Sequence, residues 1–411
     1  MNERPRLRPL RIQPAGGPDG DLVVFHDPLD LADTVQTNQA VAFLLTLLDG
    51  ERTVDDVLAF WVENGHPAPP RQFIEDLVDD ATERLLLDGP PFRAALAQAL
   101  AEYRAQPARP MAHAPEAYLA EPAACGEYFD ELVRRGRALC PTRDARPPRG
   151  LLVPHIDFGR GGPAYGAAYD ALRATSATRF VIFGTAHQAC LPGGGALGTF
   201  TRLAYDTPWG PVPVDEELLD AVVQGYRERF RQPDELFAEE LLHRDEHSLE
   251  FQCVWLRYLF PERPITVLPI LMGPLHDFYD QGAESVDGPD GLGPLLDALY
   301  AALEGREDVC LIAGADWSHV GPRFGGAAPV EDADLEPIAA RDETALLPWL
   351  RGDLDGFFGA IAADDNPQHV CSLAAMYALR ALLPEAEAEL LRYDQAHDPA
   401  QTVTFATALL R

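Results

Sequence analysis

The stretch 309-VCLIAGADWSH-319 decides how this chain is read. A continuous run of apolar and small residues marks a strand buried on both faces. This one ends in an acid, Asp316, and an imidazole, His319, three residues apart. Three other runs share its texture: 151-LLVPHIDF-158, 179-RFVIFGTAH-187 and 265-ITVLPILMG-273. Stretches with helical spacing lie between them, including 163-PAYGAAYDALRA-174, 215-DEELLDAVVQGYRERF-230 and 294-PLLDALYAALEG-305. Buried strands alternating with helices predict an α/β domain over 148–411, a central sheet flanked by helices. Ligands of such sheets sit beyond the carboxyl ends of the strands, where the polar residues of these runs fall.

Composition narrows the function. The chain has 411 residues, 47% of them apolar, and a formal net charge of -32. That balance, with no basic stripe, excludes a nucleic-acid partner. All 33 basic residues are arginine, which removes Schiff-base lysines and the phosphate-binding lysine of a Walker A loop. The six cysteines (Cys125, Cys140, Cys190, Cys253, Cys310 and Cys371) form no CxxC pair and read as reduced thiols. Cys140, Cys190, Cys253 and Cys310 read as small buried hydrophobes. No apolar run approaches the roughly 20 residues that span a bilayer. MNERPRLRPLRIQP has no apolar centre of the kind a signal peptide needs. The expectation is a cytoplasmic protein with no membrane contact.

Residues 1–90 read as a separate small module. RLRPLRIQP and LVVFHDP form a hairpin pattern, followed by 38-NQAVAFLLTLLDG-50, 53-TVDDVLAFWVENG-65 and 71-RQFIEDLVDDATERLLLDG-89, each helical in spacing and each closing on a glycine. A wing closes the pattern. In this order, and notably in LLDGERTVDDV, the module resembles the PqqD-like winged-helix domains, which implies peptide binding; a structural cap on the domain behind it is the alternative. Residues 91–147 alternate helical pieces with the proline-rich 107-PARPMAHAPEA-117 and PTRDARPPRG, the pattern of a linker.

Three strand ends carry a histidine: His155, His187 and His319. One such histidine is usually structural, but three converging on one sheet edge form a ready metal site. No HExxH or paired CxxC points to zinc. Cys371 stands just before the helical SLAAMYALR, where a helix N-terminus lowers a thiol's pKa and makes it a ligand or nucleophile. In 243-HRDEHSLEFQ-252, His247 and Glu250 share a helix face, in a supporting, substrate-facing or structural role. Glu246 and Asp245 can cap that helix or orient ligands. Asp157 is a further supporting candidate.

The ordered set PHIDFGRGG, GTAH, DEHSLEFQ, ITVLPILMG, GADWSH and a late cysteine before a helix resembles the Memo family, called protein B of the AmmeMemoRadiSam system in bacteria and archaea. The resemblance covers about 150–411. It implies the fold of class III extradiol ring-cleaving dioxygenases, with His155, His187 and Cys371 at metal-ligand positions and Asp316 and His319 lining the same pocket. It also implies iron(II), with copper as the alternative, and a radical SAM protein and an AMMECR-like protein as partners. GTAHQ and CS depart from the family's usual pattern without removing a ligand position. The chemistry implied is an oxygen-dependent oxidation in which His319 moves protons and Asp316 fixes its tautomer or the local charge. A metal-binding or redox protein without an organic substrate is the alternative, and an interaction component of a radical SAM system a third. No GxSxG elbow supports a hydrolase.

Overall fold

The computed structural model describes residues 4–15, 22–140, 146–188, 197–230, 233–275, 278 and 285–411. Cys190 and part of PTRDARPPRG lie outside the described residues. The chain divides into two compact units, residues 1–105 with 188–194, and residues 106–187 with 195–411.

The first unit opens with strands β1 (Arg11–Ala15), β2 (Leu22–His26) and β3 (Val35–Asn38) in an antiparallel sheet of that order. The hairpin pattern gives β1 and β2; β3 is an addition to it. Helices α1 (Gln39–Thr46), α2 (Val54–Glu63) and α3 (Arg71–Glu83) follow. The Asn38 side chain caps α1 by accepting from the Val41 N–H, and Thr53 with Asp56 forms a capping box on α2. Gly50 and Gly65 take positive φ after the first two helices. After α3 the left-handed residue is Leu85, with φ 61°, and Gly89 instead caps the start of α4 (Pro90–Arg104). A helix whose first residues are Pro90 and Pro91 needs no donor there, so that glycine opens one helix and does not close another. Where a wing hairpin is expected, the chain after α3 makes a single bridge, Leu7 to Leu87. Phe92 of α4 is buried, with the Arg8 guanidinium 4.1 Å over its ring.

The second unit carries the mixed sheet. Its strands are β4 (Gly150–Val153), β5 (Arg179–Thr185), β6 (Gly198–Phe200), β7 (Thr266–Met272), β8 (Val309–Gly314), β9 (His319–Val320), β10 (Ala388–Asp398) and β11 (Gln401–Leu410). The order is β10-β11-β4-β8-β5-β7-β6, with β9 paired to β11. The four apolar runs seen in the sequence are the central strands β4, β8, β5 and β7, all mutually parallel. Antiparallel strands close both sides. The long β10–β11 hairpin has no counterpart in the sequence reading, because its residues are half-buried in β10 and show no continuous apolar run.

Helices cover the sheet: α5 (Pro122–Leu139), α6 (Phe158–Leu172), α7 (Glu216–Phe230), α8 (His247–Leu259), α9 (Gly293–Leu303), α10 (Leu335–Arg351), α11 (Leu354–Ala362) and α12 (Leu373–Leu382). Helix α5 lies tightly on α6. A Cβ at Gly136 would sit 2.5 Å from the Ala167 nitrogen, and one at Gly166 2.3 Å from the Leu132 carbonyl oxygen, so glycine permits the approach of two backbones. No helix among the described residues is long and apolar enough to cross a membrane.

Candidate metal centre

Parallel register aligns the strand ends. Val153 pairs with Gly314, and Phe183 with Ala313, so β4, β8 and β5 stop on one rim. Each delivers a polar side chain two positions past its last residue: His155 after Val153, His187 after Thr185 and Asp316 after Gly314. Helix α8 adds a fourth, because its first residue is His247 and its N-cap is Glu246, whose carboxylate accepts from the Ser248 N–H.

A fixed acceptor orients each imidazole. His155 Nδ1 lies 2.9 Å from the Gly314 carbonyl oxygen. A carbonyl only accepts, so Nδ1 carries a hydrogen and Nε2 is the nitrogen left to face the cluster. His187 Nδ1 lies 3.0 Å from both Glu246 oxygens, and its backbone N–H also donates to that carboxylate. His247 Nδ1 is 3.2 Å from Glu246 Oε1. Partners of this kind typically set tautomer and ring orientation in metal sites. Ring nitrogens of His155, His187 and His247 lie within 4.8 Å of one another, the one such cluster of three among the described residues.

Cys371 lies beside two of these imidazoles. Its Sγ is 3.6 Å from His155 Nε2, and the thiol also hydrogen-bonds to His187. Nitrogen and sulfur bound to one tetrahedral ion at about 2.0–2.3 Å stand about 3.5 Å apart. The donor set therefore fits a transition metal with a preference for nitrogen and soft sulfur. Helix α12 begins two residues after Cys371, and Ser372 Oγ, 3.2 Å from Sγ, accepts from the Asp316 N–H and the Thr185 hydroxyl.

Electrostatics match a cation site. Burial opposes ionisation of the Cys371 thiol, yet the charges of His319 and His155 hold it well below the usual thiol range. Burial pushes His155 down, but Asp316 and Cys371 outweigh it and lift the imidazole to about 9. His187 is likewise raised against burial by Glu246. His247 is held well below the ordinary imidazole value, by burial first, and is neutral at pH 7. Burial raises Asp316. A metal entering this cluster displaces protons from His155 and His187.

The site opens into a cleft of about 600 Å³ whose lining includes His113, His155, His187, His247, Asp316 and His319. Phe251 stands beside His247 and Phe324 beside His319, with ring centroids 5.4 and 5.0 Å away. His319 Nδ1 is 3.1 Å from the Trp317 carbonyl, which fixes its tautomer. Asp316 therefore does not set that tautomer, although its charge interacts with His319; its carboxylate accepts from the His155 backbone N–H and lies 3.6 Å from His155 Nε2. The Asp316 side chain therefore serves His155 beside it. Asp157 lines the cleft while capping α6 and pairing with Arg160. Glu250 faces away from the cluster into a buried network with Arg109, His113 and Tyr118. Asp245 pairs with Arg244 at the surface.

Sequence reasoning passed over His113 and Arg109. Both lie in the proline-rich stretch, which has no periodic pattern to mark a buried segment. Arg109 is fully buried, and donates to Glu250 and to the carbonyls of His243 and Glu246. It thereby holds the approach to α8. A lone arginine followed four residues later by a histidine was the available signal, and it is a weak one.

Comparison with known proteins gives the family. Over 404 residues the chain is 24% identical to a MEMO1 family protein of Aquifex aeolicus, covering 96% of each. It is 30% identical over 278 residues to one of Thermus thermophilus, covering 65% of this chain and 74% of the relative. Against one of Methanococcoides burtonii the identity is 31% over 174 residues, 42% of this chain and 56% of the relative. The family model described as Memo-like protein matches residues 109–409, from the buried arginine beside α8 to the last strand of the sheet. The chain belongs to the Memo-like protein family.

Proposed function

We propose that this protein is a metal-dependent oxidoreductase, with iron(II) favoured over copper, that carries out dioxygenase-type chemistry on an electron-rich substrate. One observation carries the reading: oriented imidazoles and an acidified thiol converge at the floor of an open cleft. His155, His187 and Cys371 would hold the metal. When bound, iron(II) supplies open coordination positions at which substrate and oxygen can meet. The chain's own groups do the rest. His319, with Nδ1–H committed to the Trp317 carbonyl, presents Nε2 to accept a proton from a substrate hydroxyl and return it. Phe251 beside His247 and Phe324 beside His319 give the cleft apolar surface against which an aromatic substrate can pack. Family resemblance supports a place beside a radical SAM protein and an AMMECR-like protein, with the first unit as a peptide-binding module.

A second reading is supported by the number of donors. Three imidazoles and a thiol are enough to close a tetrahedral site, which suits a carrier of iron or copper with no organic substrate. Anaerobic metal analysis decides the first step. Iron at about one per chain in the native protein, lost in His155→Ala and His187→Ala, supports a metal centre. Oxygen uptake with catechol-type substrates then separates enzyme from carrier. A protein that binds no metal under reducing conditions overturns both readings.

A further inference from the structure

We propose that His247 is itself a metal ligand, so that the centre has three nitrogens and one sulfur and keeps its metal when the Cys371 thiolate is lost. This inference rests on the metal reading above and deepens it. Two observations on His247 support it. Its ring nitrogens lie in the same cluster as those of His155 and His187, within 4.8 Å. Its ring stacks on that of His187 at 4.7 Å between centroids, and one carboxylate, Glu246, lies against Nδ1 of both. That shared partner engages Nδ1 and leaves Nε2 of both rings as the nitrogen available to a metal.

Placement strengthens the case. His247 opens α8, whereas Cys371 precedes α12, so the two donors come from independent elements. Loss of one leaves the other in place. A merely structural histidine at this position would be expected to face an apolar wall or a single acceptor, not two other imidazoles and an open cleft.

Cobalt(II) added anaerobically to the full chain tests this, because its visible bands report ligand geometry and its near-ultraviolet band reports thiolate. The native protein should bind one cobalt(II) with both signatures. Cys371→Ala should lose the thiolate band yet keep the visible bands and bind one ion. His247→Gln, which keeps a polar group beside Glu246, should shift the visible bands. It should also weaken binding by at least the about 10–100-fold typical of losing a group that only orients a ligand. The double variant should bind none. Circular dichroism of each variant confirms that it is folded, and His247→Asn serves if the glutamine variant is not. Unchanged bands and affinity in His247→Gln overturn this inference while leaving the metal centre intact. Loss of all cobalt in Cys371→Ala alone overturns it equally. A native protein that binds no cobalt overturns the metal reading itself, and this inference with it.

Discussion

Two buried carboxylates hold residues that line or adjoin the cleft, and they behave in opposite ways. Glu250, on α8, accepts from Arg109, His113, Tyr118 and the backbone N–H groups of Ala112 and His113. Asp342, on α10, accepts from the hydroxyls of Ser318, Thr404 and Tyr393 at 2.5, 2.5 and 2.7 Å. Both are almost inaccessible to solvent. Burial pushes each carboxyl up. For Glu250 the His113 hydrogen bond and the Arg109 charge overcome it and bring the group down to about 2. For Asp342 the hydroxyls do not, and its pKa stays raised. Hydrogen bonds from neutral donors satisfy a buried carboxylate's geometry without matching its charge; a guanidinium does both.

The largest effect should come from Glu250→Gln. It takes the counter-charge from the buried Arg109 guanidinium, and breaking one side of such a pair typically costs roughly 3–5 kcal/mol. Urea denaturation at pH 7 measures it, and a loss below about 1 kcal/mol would mean the carbonyl partners of Arg109 suffice. Asp342→Asn should do less harm, roughly 1–3 kcal/mol. An amide oxygen cannot accept from three hydroxyls, but removing a buried charge offsets part of the loss. Equal losses in the two variants would erase the distinction.

The pH dependence sharpens it further. The folded pKa of Glu250 lies below the reference 4.5, so its stabilisation is complete above that pH and is lost as pH falls toward about 2. Asp342 runs the other way. Its folded pKa lies above the reference 3.8, so its ionisation penalises the fold as pH rises from 3.8 through the raised value. Denaturation at a series of pH values should show Glu250→Gln flattening the acid limb. Asp342→Asn should remove a decline that begins above 3.8. The smallest effect belongs to Asp157→Ala, a half-exposed carboxylate on the same cleft. Loss of its cap on α6 costs about 1 kcal/mol, readable as a small shift in thermal midpoint.

Much of the α/β unit was legible because its signals are local. A strand buried on both faces needs a continuous apolar run, and the four runs became the four central strands. Histidines at their ends then had to share a rim. The β10–β11 hairpin was not legible, since half-burial leaves β10 with no run to read. Gly89 misled for a related reason: a glycine before two prolines opens a helix as readily as one after a helix closes it. The role of His247 was only partly visible, because spacing showed the face it shares with Glu250 and not that the two residues would be used differently.

By itself, then, the sequence determined the layered α/β architecture and the strand-end residues His155, His187 and Asp316, because hydrophobic periodicity and strand length are properties of neighbouring residues. The tertiary structure decided which acceptor turns each ring, and which cation answers each buried acid. His155 takes the Gly314 carbonyl from 159 residues away, and Glu250 takes Arg109 from 141. A buried charge or lone pair must find a partner wherever the fold brings one, and no local pattern records where that is.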